Sequence, residues 1–163
     1  MAYIFILIAI ILRLVPHAPN FVPIAAMALF GGVYLDKKYA LVFPLIAMII
    51  SDLFIGFHDV MFWVYGSFVL SGLIGLWLKN HKTTKNVILA SLVGSTIFFV
   101  ITNFGVWIGP WYSHDFSGLL KCYTMAIPFF RNTLLGDLFY SAVFFGSYQA
   151  IKNFSLAQKR VSF

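Results

Sequence analysis

Residues 86–108, NVILASLVGSTIFFVITNFGVWI, carry no charged side chain, and the charges that bracket them are Lys85 and Asp115. A helix needs about 20 apolar residues to cross the hydrocarbon of a bilayer. A soluble helix of that length would show a polar face, because water has to solvate one side of it. This stretch shows none, and the rest of the chain agrees with it. Hydrophobic residues make up 61% of the sequence, charged residues 10%, and the mean hydropathy is +0.93. Soluble domains carry about 25% charged residues. The composition is that of an all-α integral membrane protein, short enough for one transmembrane domain over 1–163.

Five more apolar runs accompany the first: 2–15, 22–35, 39–57, 60–78 and 131–151. Six transmembrane helices are the expectation, with 2–15 and 22–35 marginal in length. The opening MAYIFILIAIILRLVP lacks a basic leader and a small-x-small cleavage site, so it reads as a retained first helix. Between 110 and 130, Pro110 and Pro128 bracket mixed polar and aromatic residues. That stretch is expected to be an outer interfacial loop carrying a short amphipathic helix near 116–127.

With six spans both termini share one side, and that side collects Lys37, Lys38, Lys79, Lys82, Lys85, Lys152, Lys159 and Arg160. The other side holds Arg13, Lys121 and Arg131, with the acids Asp52, Asp59, Asp115 and Asp137. By the positive-inside rule, both termini are expected to be cytoplasmic in a bacterial inner membrane. An odd number of spans would put the basic C-terminus outside. The +6 formal charge therefore reports orientation, and no basic stripe with interleaved aromatics suggests nucleic acid.

The same topology gathers the unusual polar residues at the outer face. Arg13 ends the first run; His17 and Asn20 follow it; Asp52, His58 and Asp59 surround the end of the third. Asn103 and Trp107 end the fifth, Trp111, Tyr112, His114, Cys122 and Tyr123 lie in the loop, and Arg131 and Asp137 open the sixth. A charge at mid-bilayer costs about 2.5–3.5 kcal/mol on insertion scales, so Arg131 and Asp137 demand an explanation. Six residues apart, they point about 240° from one another around a helix and are poor mutual partners. Arg131 is expected to reach Asp52 or the interface, and Asp137 to reach Arg13 or Asn103. The ligand-binding candidates are Arg131, Asp137, Asp52, Asn103, His17, Asn20, Trp107, Trp111 and Tyr112. The aromatic members equally suit an interfacial belt.

Catalytic signatures are absent. There is no H-E-x-x-H, Walker loop or G-x-S-x-G, and the chain contains no Glu. Cys122 is the single cysteine, which excludes an intrachain disulfide and a multi-cysteine metal site. His17, His58, His114 and Cys122 are weak candidates for metal ligands, since they lack ligand-like spacing. No cofactor is expected. Small residues recur every four positions at Ser67-Ser71-Gly75 and Ala142-Gly146-Ala150, a spacing that lets helices approach closely in lipid.

The stretch PNFVPIAAMALFGGVYLDKKYALVFPLIAMIISDLFIGF, residues 19–57, resembles the second and third helices of the substrate-binding S components of energy-coupling factor vitamin transporters. The shared pattern is a Pro-containing loop, a short Ala/Leu/Gly helix, a polar turn, and a longer helix ending in an acid, here Asp52. TNFGVWIGPW and PFFRNTLLGDLFYSA are similar to an uncharacterised family of bacterial six-helix membrane proteins. The S-component resemblance implies an outward-facing pocket for a small solute and a membrane coupling subunit with ATPases as partner. Small residues four apart on the first helix, which dock that subunit, are missing here, because Ala9 is followed by Arg13 and Ala2 by Ile6. The leading expectation is an S-component-like transport subunit. The alternatives are a small membrane enzyme or a metal- or cobalamin-handling protein using the outer His and Cys residues, and a structural partner in a membrane complex.

Overall fold

A computed structural model describes residues 2–161; the side chains of Lys159 and Arg160, counted above among the basic residues, lie outside the described set. The helices are α1 (Ala2–Leu14), α2 (Ile24–Tyr34), α3 (Lys37–Ala40), α4 (Val42–Ile55), α5 (Met61–Asn80), α6 (Thr84–Ile108) and α7 (Phe116–Val161). Short α3 and α4 meet at Leu41, which keeps helical dihedrals, and together they form one bent rod. Six rods thus run up and down, and the described residues contain no strand. Lys79 at the end of α5 donates to the Leu35 carbonyl at the end of α2, and Phe5 of α1 packs on Tyr148 of α7. These contacts put the start of α1, the end of α2, the α5–α6 turn and the late part of α7 at one end of the bundle. Lys79, Lys82 and Lys85 are there as well.

The centre of the bundle is α2, in which every residue from Ile24 to Val33 is buried. Its sequence IAAMALFGGVY is apolar on all sides, as a helix surrounded by others must be. Glycines bring it against α5: a Cβ on Gly32 would lie 2.6 Å from the Gly75 backbone, and one on Gly75 would lie 2.6 Å from the Leu29 carbonyl oxygen. The row Ser67-Ser71-Gly75 is buried and serves packing within the chain. Near the lysine-rich end, Phe30, Tyr34, Phe145 and Tyr148 form an aromatic cluster, with Tyr34 and Tyr148 ring centres 4.0 Å apart. Several buried hydroxyls are satisfied within their own helices. Ser67, Ser71 and Thr102 each donate to the carbonyl four residues earlier, which removes most of the cost of burying them.

Among the described residues three helices are long and apolar enough to cross a membrane: Lys37–Ile55, Met61–Asn80 and Thr84–Ile108. They suggest a membrane location, but the count corrects the expectation of six such spans. With 13 and 11 residues, α1 and α2 fall short of the length required. The last rod departs from expectation in the other direction. Residues 116–127 are no separate amphipathic helix, because α7 runs unbroken for 46 residues through Pro128. Proline removes one backbone bond, but it is tolerated in apolar surroundings where neighbouring groups satisfy the freed carbonyl. At about 1.5 Å per residue α7 is roughly 69 Å long, more than the whole thickness of a bilayer.

Candidate functional site

At the end opposite the lysines a cavity of about 430 Å³ opens between the α1–α2 loop, α5, α6 and α7. Its walls are phenylalanines: Phe68 from α5, Phe98 and Phe99 from α6, Phe129 and Phe130 from α7. Phe99 and Phe130 stack with ring centres 4.4 Å apart, and Phe68 lies 5.5 Å from Phe98. Polar groups are few and come from different helices. Arg13, His17, Asn20, His58, Thr102, Asn103 and Thr133 reach the lining. Asn103 Nδ2 donates to the Phe99 carbonyl at 2.8 Å, which fixes the amide and leaves its oxygen available. The α1–α2 loop is anchored by Asn132 Nδ2 donating to the Pro19 carbonyl, and Asn20 takes a left-handed φ of 62°. Asparagine accepts that conformation more readily than most residues.

Arg13 links this cavity to the protein's one ion pair among the described residues. Its Nη2 lies 2.6 Å from Asp52 Oδ1, and its Nη1 donates to Ser51 Oγ and to the Met48 carbonyl. The second carboxylate oxygen of Asp52 accepts from the Tyr65 hydroxyl at 2.6 Å. Asp52 is fully buried and the Arg13 side chain is 11% exposed. Each charge therefore has a partner and additional hydrogen bonds, the condition under which a buried pair is tolerated. The Arg13 positive charge is neutralised by Asp52, so Arg13 lines the cavity without adding a large net charge.

Asp137 sits deeper and belongs to a different arrangement. Its Oδ2 accepts from Ser95 Oγ of α6 at 2.6 Å, and the Ala26 N–H in the first turn of α2 makes a weaker contact with the same carboxylate. Pro23 precedes α2 and offers no side-chain cap, so the first N–H groups of that helix lack a local acceptor. A carboxylate at a helix N-terminus is favoured by the unsatisfied N–H groups and the helix dipole. Asp137 therefore sets a carboxylate, from a distant helix, beside the first turn of α2. One turn before it, Thr133 faces the cavity.

A family model described as "Family of unknown function (DUF6580)" matches residues 1–159. The chain belongs to this family. No curated protein and no solved structure matches it. The DUF6580 match spans the cavity, the Arg13–Asp52 pair and Asp137 alike.

The structure brings together some of the residues singled out in this DUF6580 sequence and separates others. His17, Asn20 and Asn103 line the cavity, and Asp52 lies behind Arg13. Arg131 is exposed, away from Asp52, and Asp137 meets Ser95 instead of Arg13 or Asn103. Trp107 donates to the Ser113 carbonyl and Trp111 packs over Gly109; with Tyr112 they surround the α6–α7 turn outside the cavity lining. His114 hydrogen-bonds the Gly109 carbonyl, and Cys122 Sγ, buried, lies 3.5 Å from the Asn103 carbonyl. Among the described residues no three of His17, His58, His114, Cys122 or the acids form a metal-binding group. At the start of α7, Asp115 accepts from the Gly118 N–H at 2.6 Å and from Ser113 Oγ. The Gly118 bond first, and Ser113 second, hold its carboxyl below the usual range. Sequence reasoning missed Tyr65, Ser95 and the five cavity phenylalanines. Ser95 alone left a trace, standing four residues after Ser91 on α6.

Proposed function

We propose that this is a membrane protein that binds a small, partly aromatic solute in the cavity at the end opposite the lysines. The observation that carries the reading is the make-up of that cavity: five phenylalanines around Arg13 and Asn103, in about 430 Å³. Ligand sites are commonly of this size, apolar, with a few polar groups that fix orientation. Placing the lysine-rich end in the cytoplasm by the positive-inside rule makes the cavity face outward. The resemblance of residues 19–57 to S components then supports a transport subunit in a bacterial inner membrane, working with a coupling subunit and its ATPases.

The test is native mass spectrometry of the protein purified in lipid nanodiscs, followed by identification of any released small molecule. A molecule of fitting size is expected with the wild type. It should be lost with Asn103→Leu and with Phe98→Ala, while Arg131→Gln retains it. Absence of any co-purifying molecule, together with no thermal stabilisation by a panel of vitamins and aromatic metabolites, would overturn the proposal.

A further inference from the structure

A second groove, of about 470 Å³, lies between the first half of α6 and the late part of α7, at the lysine-rich end. Its floor is apolar, formed by Val87 and Ile88 of α6 and Leu138 and Phe145 of α7. Two hydroxyls in it satisfy one another, Ser91 donating to Ser141 at 2.8 Å, so the floor needs no water. The groove is open because α7 presents Ala142 and Gly146 there. Both are exposed, and a Cβ on Gly146 would meet nothing within 4 Å.

The mouth of the groove differs sharply from its floor. Lys82 lies there, its Nζ 3.1 Å from the Tyr34 hydroxyl and 4.7 Å from the centre of that ring. Thr83 and Thr84 begin α6 beside it. Thr83 Oγ1 already accepts from the Asn86 N–H, which leaves the N–H groups of Thr84 and Lys85 without an intrahelical partner. Asp36 stands nearby, two residues after Tyr34, but among the described residues no carboxylate lies within 4 Å of Lys82 and none lines the groove. An apolar trough with a cationic, donor-rich mouth at one end matches an amphiphile whose head is an anion.

We infer that this groove holds one anionic phospholipid, with an acyl chain along the α6–α7 floor and its phosphate at Lys82 and the first turn of α6. The inference needs only the membrane location and is independent of what the opposite cavity binds. Basic pockets between helices near the membrane surface are suited to acidic headgroups. A second helix docking on Ala142 and Gly146 would fill the trough but would leave the positive mouth without a counter-charge.

The experiment is native mass spectrometry of the full chain in detergent, with dioleoylphosphatidylglycerol or dioleoylphosphatidylcholine added. One phosphatidylglycerol is expected to be retained in preference to phosphatidylcholine. Lys82→Gln should weaken that preference about fivefold, the worth of one basic residue near a lipid surface. Gly146→Leu should abolish retention of either lipid, with unchanged thermal unfolding since the added side chain enters open space. Equal retention of both lipids by the wild type would overturn the inference, as would undiminished retention by Gly146→Leu. A wild-type dimer that Gly146→Leu converts to monomer would assign the groove to a second copy and overturn it as well.

Discussion

Removing the Asp52 carboxylate would leave the Arg13 guanidinium largely buried without a counter-charge. Breaking such a pair from one side costs about 3–5 kcal/mol, whereas replacing both members with apolar groups costs far less. Asp52→Ala is therefore expected to lower unfolding stability in detergent by that amount, and adding Arg13→Met should recover most of the loss. Denaturant titration of the two single variants and the double variant checks this. Additive losses would show that the two residues do not interact. Asp137 predicts a different pattern, since its partners are a hydroxyl and a backbone N–H. Asp137→Asn keeps an oxygen for both and should be nearly neutral, while Asp137→Leu should cost about 1–3 kcal/mol. The sequence marks Arg13, Asp52 and Asp137 as anomalous because charges are scarce in an apolar chain. It does not reveal their partners, because Arg13 and Asp52 are joined across 39 positions and nothing local encodes the meeting. The cavity phenylalanines are less legible still. A Phe facing lipid and a Phe facing a cavity look alike in an apolar run.

Among the elements, α2 and α5 meet backbone to backbone. Gly32→Val is expected to destabilise at or above the upper end of the usual 1–3 kcal/mol for overpacking, because backbone rather than a flexible side chain stands in the way. Gly66→Ala, on the exposed side of α5 with nothing within 4 Å, should gain up to about 1 kcal/mol in helix propensity. Thermal unfolding of the two variants separates packing from propensity. The start of α7 carries a pH dependence. Its Asp115 carboxyl is depressed in the folded state, so its contribution is present above the unfolded carboxylate value, near 3.9, and is lost as pH falls through the lower folded value. Amide exchange at Gly118 should accelerate in Asp115→Ala at neutral pH, and the wild type should converge on the variant in acid. The bounds of α4, α5 and α6 were legible because charged or glycine-containing turns frame long apolar runs. The continuity of α7 was not, because Pro128 reads as a breaker, yet the helix runs through it with Pro128 on its exposed side.

For the whole molecule, the distribution of charge and the up-and-down course of six rods bring both described ends of the chain to the lysine-rich end. A green fluorescent protein fused after residue 163 should fluoresce in a bacterial host, since it matures in the cytoplasm, and a periplasmic phosphatase fused there should be inactive. The opposite pair of results would invert the orientation and turn the cavity inward. The general helical architecture was readable from hydropathy alone. The shortness of α1 and α2 was readable too, since 2–15 and 22–35 are marginal runs; the central place of α2, buried by surrounding helices, was not. That arrangement constrains how the protein can be made. The first turn of α2 faces a carboxylate from α7, which leaves the ribosome far later. An emerging chain therefore carries its central helix in provisional form, without that carboxylate and without most of its neighbours. Synthesis halted before Asp137 should yield a product in which α2 remains open to proteolysis, and only the last rod closes the structure around the first ones.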